Sequence, residues 1–120
     1  MADPHVTKAI NVFSDTVGST DVTAGDLVYF DGTDWEKADA SAHTTFAEAM
    51  VLNTYDSGDV GLFCTGGILV DTDAPYTQGS TMYLSETAGA NTATIPTTNA
   101  AIKQVIGFAL STSEVRVDIR

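Results

Sequence analysis

Residues that could carry out chemistry are few in this sequence, and they lie far apart. The two histidines, His5 and His43, and the single cysteine, Cys64, show neither His-x-x-x-His nor Cys-x-x-Cys spacing. A zinc site needs about three or four ligands that converge, so the sequence predicts no zinc site. Cys64 lies in an apolar stretch between Phe63 and Thr65, which predicts a small buried residue rather than a reactive thiol.

Closely spaced carboxylates occur at two turns and could bind calcium, which takes about six to eight oxygen ligands. They are Asp31 with Asp34 and Asp71 with Asp73. Neither pair is followed by the other acidic positions of a calcium loop. Turn-forming acids are therefore the favoured interpretation, and an incidental cation at a subunit interface is the alternative. Paired carboxylates for glycoside hydrolysis stay open as a further alternative.

Other catalytic motifs are not found. No serine lies in a nucleophile elbow, and Thr65-Gly66-Gly67 lacks the spacing of a phosphate-binding loop. The chain has 16 acidic and 5 basic residues, a formal net charge of −11, which repels phosphates and opposes binding to nucleic acid. We therefore predict a protein that is not an enzyme and has no cofactor. Its partner should offer a basic or apolar surface.

The elements that would position any site are predicted to belong to one domain. A chain of 120 residues suits a single domain, and 43% hydrophobic with 18% charged residues indicates a folded core. No apolar run approaches the roughly 20 residues of a membrane helix. The first residues have no basic segment before an apolar one, so no secretory signal is predicted.

Short stretches with β-branched and aromatic residues, separated by turn formers, indicate an all-β sandwich or barrel of antiparallel strands. Residues 46–52 include helix-favouring Ala, Glu and Met, but their short length and their match with 105–110 favour a strand. No long helix is predicted. The predicted strands cover residues 6–13, 27–30, 35–38, 46–52, 60–65, 68–70, 81–85, 91–95, 103–110 and 114–119.

The sequence also contains a degenerate internal repeat. Residues 23–30 return in outline at 77–84, an offset of 54 residues, as a Thr-x-Gly turn followed by an apolar run containing tyrosine. Residues 48–51 match 107–110 at an offset of 59, and residues 59–62 match 114–117 at an offset of 55. A small β-unit that was duplicated, with loop insertions, would produce this pattern.

Residues 1–21 are predicted to form an N-terminal arm, a strand plus a linker, before a domain over residues 22–120. Apolar residues occupy both faces of the predicted strand, with Val6, Ile10 and Val12 on one face and Phe13 on the other. Such a strand lies inside a sandwich or between subunits. We predict these four residues, together with Trp35, as interface residues; an ordinary first strand followed by a loop at 14–21 is the alternative.

The aromatic residues allow two interpretations. Trp35 and the four tyrosines could form a platform for a sugar. Tyr29 and Tyr83 occupy matching places in the two repeats, which favours core or hairpin positions.

The chain resembles small structural proteins of tailed bacteriophages, in particular head decoration (capsid cement) proteins. The resemblance lies in Ala24-Gly25-Asp26-Leu27-Val28, in Trp35-Glu36-Lys37-Ala38, and in Gly58-Asp59-Val60-Gly61 leading to a Gly-Gly turn. It continues in Gly79-Ser80-Thr81-Met82-Tyr83-Leu84 and in Val105-Ile106-Gly107-Phe108-Ala109-Leu110, and covers about residues 22–119. Related modules occur in tail fibres.

The resemblance implies a β-sandwich or barrel that assembles as a homotrimer on the outer surface of the virion's head. There it would bridge neighbouring major capsid proteins and hold the shell against the pressure of packaged DNA. It implies no catalytic residues, no cofactor, no nucleic acid and no membrane. Deleting residues 1–20 is then expected to weaken trimerisation or attachment and to leave the domain folded. A tail-fibre or baseplate module, or a carbohydrate-binding module using Trp35, is the alternative.

Overall fold

The structure is a computed structural model that describes residues 4–73, 76–97 and 101–119. Within these residues it consists of β-strands and has no helix, which confirms the all-β prediction. The strands are β1 (His5–Ile10), β2 (Phe13–Thr16), β3 (Leu27–Phe30), β4 (Trp35–Lys37), β5 (Ala49–Val51), β6 (Val60–Cys64), β7 (Gly66–Val70), β8 (Thr81–Leu84), β9 (Asn91–Thr92), β10 (Val105–Ala109) and β11 (Glu114–Asp118).

The strands form two antiparallel sheets, as expected for a small β-sandwich. The six-stranded sheet has the order β1-β7-β11-β10-β8-β9, and the five-stranded sheet has the order β2-β6-β5-β3-β4. Apart from β1, the two orders are the same: β7, β11, β10, β8 and β9 correspond to β2, β6, β5, β3 and β4. We call β2–β6 unit 1 and β7–β11 unit 2.

Several backbone hydrogen bonds repeat at equivalent positions of the two units. The turns before β3 and β8 both place a glycine at positive φ, +88° at Gly25 and +85° at Gly79, which a non-glycine residue adopts only at a cost. Equivalent bonds, donor first and each of 2.8 Å, are Val17–Asp59 with Asp71–Ser113, and Gly25–Val51 with Gly79–Ala109. The predicted internal repeat is therefore visible in the backbone.

Two of the predicted offsets were one residue too long. The hydrogen bonds align Val51 with Ala109, an offset of 58 rather than 59. The strand registers align Val60 with Glu114, an offset of 54 rather than 55. Successive side chains of a strand point to opposite faces, so an alignment that is shifted by one residue would match residues of opposite faces. The corrected offsets match residues that lie on the same face.

Each unit therefore has two comparable faces. The front face carries Val28, Val51 and Phe63 in unit 1, and Met82, Ala109 and Val117 in unit 2. The back face carries Leu27, Met50 and Cys64 in unit 1, and Thr81, Phe108 and Asp118 in unit 2. The front of unit 2 packs against the back of unit 1, and together they form the larger hydrophobic core.

The front face of unit 1 is covered by aromatic side chains of unit 1 itself. Phe63 stacks on Phe13 and Trp35, with ring centroids 5.4 and 5.3 Å apart, and Val17 pairs with Trp35 in an isolated parallel bridge. These residues form a second, smaller core that closes the five-stranded sheet on itself. In unit 2 the registers place Gly67 at the position of Phe13 and Val117 at that of Phe63. Because Gly67 and Val117 are smaller than Phe13 and Phe63, the front face of unit 2 has room to pack against unit 1.

Residues of the predicted arm form two strands in different sheets. β1 pairs with β7 at an edge of the six-stranded sheet, and β2 pairs with β6 at an edge of the five-stranded sheet. The predicted linker, residues 14–21, was wrong for residues 14–16, which belong to β2. Lys8 has a positive φ angle of 53° within β1, at the shift in its pairing with β7, and Asn11 has one of 54° where the chain passes from one sheet to the other.

Deletion of residues 1–20 would therefore remove both edge strands and the core residues Phe13 and Val17. We expect this truncation to destabilise the domain, in contrast to the expectation from sequence. Whether residues 1–21 act as an arm in an assembly is a prediction that a single chain does not test.

Some predicted strands are shorter in the structure. The strand predicted over residues 46–52 is limited to Ala49–Val51, because the side chain of Gln104 bonds the backbone of Ala47 in place of a neighbouring strand. Its Nε2 donates to the Ala47 carbonyl at 2.8 Å, and its Oε1 accepts from the Ala47 N–H at 2.7 Å. The predicted loops at 71–78 and 97–101 lie partly outside the described residues.

Candidate interaction surfaces

The exposed apolar side chains are the feature of this surface that most calls for a functional explanation. Monomeric soluble proteins rarely expose large contiguous apolar patches, and patches with polar rims mark interaction sites. The large apolar side chains that are at least two-fifths exposed are Ile10, Val12, Phe30, Phe46, Val60, Leu62, Ile95, Val105 and Phe108. They lie in several regions of the described surface.

One such region lies on the back of unit 2. The strand registers form a row across the sheet in which Arg116 lies between Ile68 and Phe108. Phe108 is 45% exposed, whereas Met50 at the equivalent position in unit 1 is fully buried. We define the outer patch as the apolar residues Ile10, Ile68, Val105 and Phe108 with the basic residues Lys8 and Arg116.

The outer patch has two open depressions that share Arg116 and Asp118. One, of about 400 Å³, is lined by Thr81, Val105, Gly107, Phe108, Arg116 and Asp118. The other, of about 210 Å³, is lined by Lys8, Ile10, Gly67, Ile68, Arg116, Val117 and Asp118. The side chain of Ile10 lies over Gly66, where an added Cβ would meet its Cδ1 at 2.9 Å. A glycine at this position lets the β1 side chain lie close to the sheet.

A second region lies at the beginning of β6. Val60 and Leu62 share a face of this strand with Cys64, which is buried between the sheets, but they are 70% and 41% exposed. Unit 2 therefore covers the back of unit 1 at Cys64 and leaves it uncovered further along the strand. We call Val60 and Leu62 the β6 patch.

Carboxylates lie at the turn that precedes the β6 patch. Asp56 and Asp59 bound the turn before Val60, and the Asp56 N–H donates to Oδ2 of Asp59 at 3.1 Å. Oδ1 of Asp21 accepts a hydrogen bond from the Ser57 N–H at 2.8 Å in the same turn. These bonds hold three negative charges next to the exposed apolar side chains of β6.

Charge thus differs between the two patches. Of the four basic residues that the structure describes, Lys8 and Arg116 line the outer patch, and Lys103 precedes β10 by two residues. The fourth, Lys37, pairs with Asp26 across 3.7 Å. On a chain with a net charge of −11, two of these four basic residues thus lie in the outer patch beside Asp118, whereas the β6 patch adjoins acidic residues.

The five predicted interface residues do not lie together. Ile10 and Val12 are exposed, and Ile10 belongs to the outer patch. Val6 packs against the larger core, while Phe13 and Trp35 belong to the aromatic cluster of unit 1. Trp35 is 9% exposed and its indole N–H donates to Oδ2 of Asp15 at 3.0 Å, which leaves little ring surface for a sugar. The interface role of all five stays a prediction.

The sequence did not identify Phe108, Val105 and Ile68 as surface residues. They lie in apolar stretches that are typical of core strands, and nothing local distinguishes Phe108 from Met50. The repeat itself contained a signal. Thr81 and Asp118 replace Leu27 and Cys64 at equivalent positions, and polar residues there indicate that the back of unit 2 faces solvent.

A cleft of about 270 Å³ lies beside the turn before β3. It is lined by Pro4, Ala24, Gly25, Asp26, Leu69, Asp71, Tyr76, Gly89, Ala90 and Asn91. Burial raises the pKa of Asp26 despite the nearby Lys37 ammonium, and burial also raises the pKa of Tyr76. In the described parts of the chain, no group of three or more His, Cys, Asp or Glu could hold a metal ion.

The individual acids and the cysteine have structural roles. Oδ1 of Asp31 accepts hydrogen bonds of 2.8 Å from the N–H groups of Thr33 and Asp34, and these bonds lower its pKa. Asp71 accepts from the Asp73 N–H at 3.1 Å. Both are the turn-forming acids that the sequence predicts. Cys64 is fully buried, as predicted, and burial raises the pKa of its thiol to about 11.

Comparisons with known proteins identified no relative. No protein-family model matches the chain, and no curated protein matches its sequence. The described residues include no helix that is long and apolar enough to cross a membrane.

Proposed function

We propose that this protein is a non-enzymatic structural protein that binds the outer surface of a tailed-phage capsid and stabilises the head by bridging major capsid proteins. The proposal combines the resemblance of residues 22–119 to head decoration proteins with a surface suited to assembly. It includes a homotrimer as the bound form. Binding would involve neither nucleic acid nor a membrane.

The observation that carries the proposal is the distribution of exposed apolar side chains. The outer patch and the β6 patch occupy different strands, and a third region contains Phe30 and Phe46, at the end of β3 and before β5. A subunit of a trimeric ring needs two different surfaces for its neighbours, because ring contacts join unlike patches. A further surface is needed for the shell. Three separate apolar regions meet this requirement.

The mechanism would rest on many weak contacts made at once. A protein that binds the assembled shell but not the free capsid subunit shifts the equilibrium toward the shell. Linking three copies in one trimer turns the second and third contacts into intramolecular events, which raises the overall affinity. The acidic surface would keep unbound copies soluble and apart from packaged DNA.

Co-sedimentation with undecorated heads of a tailed phage tests the proposal. The wild-type protein should pellet with heads, and the heads should resist heating or chelation better afterwards. We assign the region of Phe30 and Phe46 to the shell, so Phe46→Asp, which places a charge there, should reduce pelleting by at least tenfold. Ile95→Asp is the matched control, since Ile95 is similarly exposed at 41% and lies in a loop outside these regions.

Wild-type protein that stays in the supernatant with heads from several phages would contradict the proposal. In that case binding to glycans or to host cells would favour a tail-fibre or carbohydrate-binding module. The burial of Trp35 makes the exposed Phe30 and Phe46 better first substitutions than Trp35 for that test.

A further inference from the structure

We infer that the outer patch of one copy binds the β6 patch of a second copy, so that the protein associates head to tail through two unlike surfaces. The occupant of the outer patch is thus another molecule of this chain. The inference names the contact between subunits of the assembly in the proposed function. It can hold or fail independently of capsid binding.

The first argument comes from the internal repeat. The back of unit 1 is covered by unit 2, and its Leu27–Met50 pair is buried. At the equivalent positions of unit 2, the Thr81–Phe108 pair is exposed. The solvent face of an antiparallel sheet is ordinarily polar. Phe108, Val105 and Ile68 therefore form an apolar area on a face that otherwise carries the polar residues Thr81, Arg116 and Asp118, and this apolar area is the part that a partner would cover.

The second argument excludes one way in which a second copy could cover the back of unit 2. Within one molecule, the front face of unit 2 covers the back of unit 1. The front face of unit 1 could not cover the outer patch of another copy in the same way, because Phe13, Trp35 and Phe63 already fill it. A second copy must therefore present a different apolar surface.

The third argument is charge complementarity. Lys8 and Arg116 are the basic residues in the lining of the outer patch and outnumber its one acidic residue, Asp118, whereas Asp56 and Asp59 precede Val60 in the β6 patch. Contact between an outer patch and a β6 patch joins apolar to apolar surface and opposite charges at the rim, where charge sets specificity and association rate.

A complementation experiment by sedimentation velocity distinguishes this geometry from others. Phe108→Asp disables the outer patch and leaves the β6 patch intact, whereas Val60→Asp does the reverse. Each variant alone should sediment as a monomer of 12.6 kDa, while wild type forms a larger species. An equimolar mixture should restore one intact contact and give a species of about 25 kDa, twice the mass of the chain.

One further pair and a control variant make the result robust. Val105→Asp and Leu62→Asp should repeat the pattern if one of the first variants folds poorly, and Ile95→Asp should associate like wild type. Cys64, which is fully buried, reports folding, because its thiol should stay unreactive toward a thiol reagent in every folded variant. Raising the salt concentration should weaken association of wild type by several-fold.

Several outcomes would overturn the inference. They are a monomeric wild type, a mixture of the two variants that stays monomeric, and an oligomer that persists when only the β6 patch is disabled. The head co-sedimentation separates this result from the proposed function. A monomer that still pellets with heads removes the head-to-tail contact alone, and an oligomer that ignores heads removes the capsid role alone.

Discussion

Units 1 and 2 have the same strand order and equivalent turn hydrogen bonds, yet the back of unit 1 is covered except at Val60 and Leu62, whereas the back of unit 2 faces solvent. Phe63 and Trp35 close the front of unit 1, and unit 2 covers its back. The front face of unit 2 packs against unit 1, and Phe108 on the back face of unit 2 stays exposed. Equivalent positions therefore have different environments, and the difference shows which surface of the protein is available to a partner.

Substitution of equivalent back-face residues by aspartate should give the largest difference between the units. Met50→Asp buries an unpaired charge between the sheets and should destabilise the fold by more than about 3 kcal/mol, enough to prevent folding. Phe108→Asp should change the free energy of unfolding of the monomer by less than about 1 kcal/mol, because its side chain is exposed in a single copy. Urea denaturation measures both. Similar losses for the two variants would show that Phe108 is covered within the monomer.

The front faces can be compared in the same way. Phe63→Ala should cost about 3–5 kcal/mol, since it leaves a cavity among Phe13, Trp35 and Val51. Val117→Ala, at the equivalent position of unit 2, should cost less because fewer buried groups are removed. Tryptophan fluorescence follows the first variant, through the environment of Trp35. A larger loss for Val117→Ala would mean that the interface between the units, rather than the aromatic cluster, dominates stability.

Two equivalent glycines should differ in how much they tolerate a methyl group. Gly79→Ala meets only the cost of a positive φ, about 1–2 kcal/mol, because no atom lies within 4 Å of the added Cβ. Gly25→Ala meets the same cost and also places its Cβ against Cδ1 of the buried Leu69. We expect a loss of about 3 kcal/mol or more for Gly25→Ala. Thermal unfolding of the two variants under identical conditions makes the comparison.

The smallest effect should be on the pH dependence of stability. It concerns Asp26, in the turn before β3, whose equivalent in unit 2 is Ser80. Burial raises the pKa of Asp26 in the folded state above its ordinary value of 3.8. The folded state then binds a proton more readily than the unfolded chain, so this group makes stability fall as pH rises from that value through the folded pKa. Asp26→Asn should remove this fall and can still accept from the Thr23 N–H.

Asp31 provides the control with the opposite sign. Its pKa is lowered by hydrogen bonds from the N–H groups of Asp34 and Thr33, so the stability it contributes is present above 3.8 and is lost as pH falls through the lower folded pKa. Denaturation midpoints should be measured from pH 3 to 7 and compared with wild type. The Asp26→Asn variant should lose a contribution that falls as pH rises, and the Asp31→Asn variant should lose a contribution that rises with pH. Equal slopes in the two variants would contradict the assigned causes.

Much of the fold could be predicted from short-range patterns. The Asp-Gly turn after β3, the alternation in β11 and the repeated Thr-x-Gly turn each depend on a few neighbouring residues. Local chemistry did not identify β2, because Ser14, Asp15 and Thr16 are turn-favouring residues that join a strand only through pairing with β6. The candidate surfaces were found only in part. Ile10 was among the predicted interface residues, whereas Phe108 and Val60 were not.

The sequence by itself determined the class of the fold, the burial of Cys64 and the duplication of one β-unit, since each depends on local propensity, alternation or self-similarity. The tertiary structure decided which of the equivalent faces is buried. Alternation assigns Met50 and Phe108 to a face of a strand but does not say what covers that face. The cover depends on residues distant in sequence, the aromatic cluster that closes the front of unit 1 and the small residues that leave the front of unit 2 free to pack against unit 1.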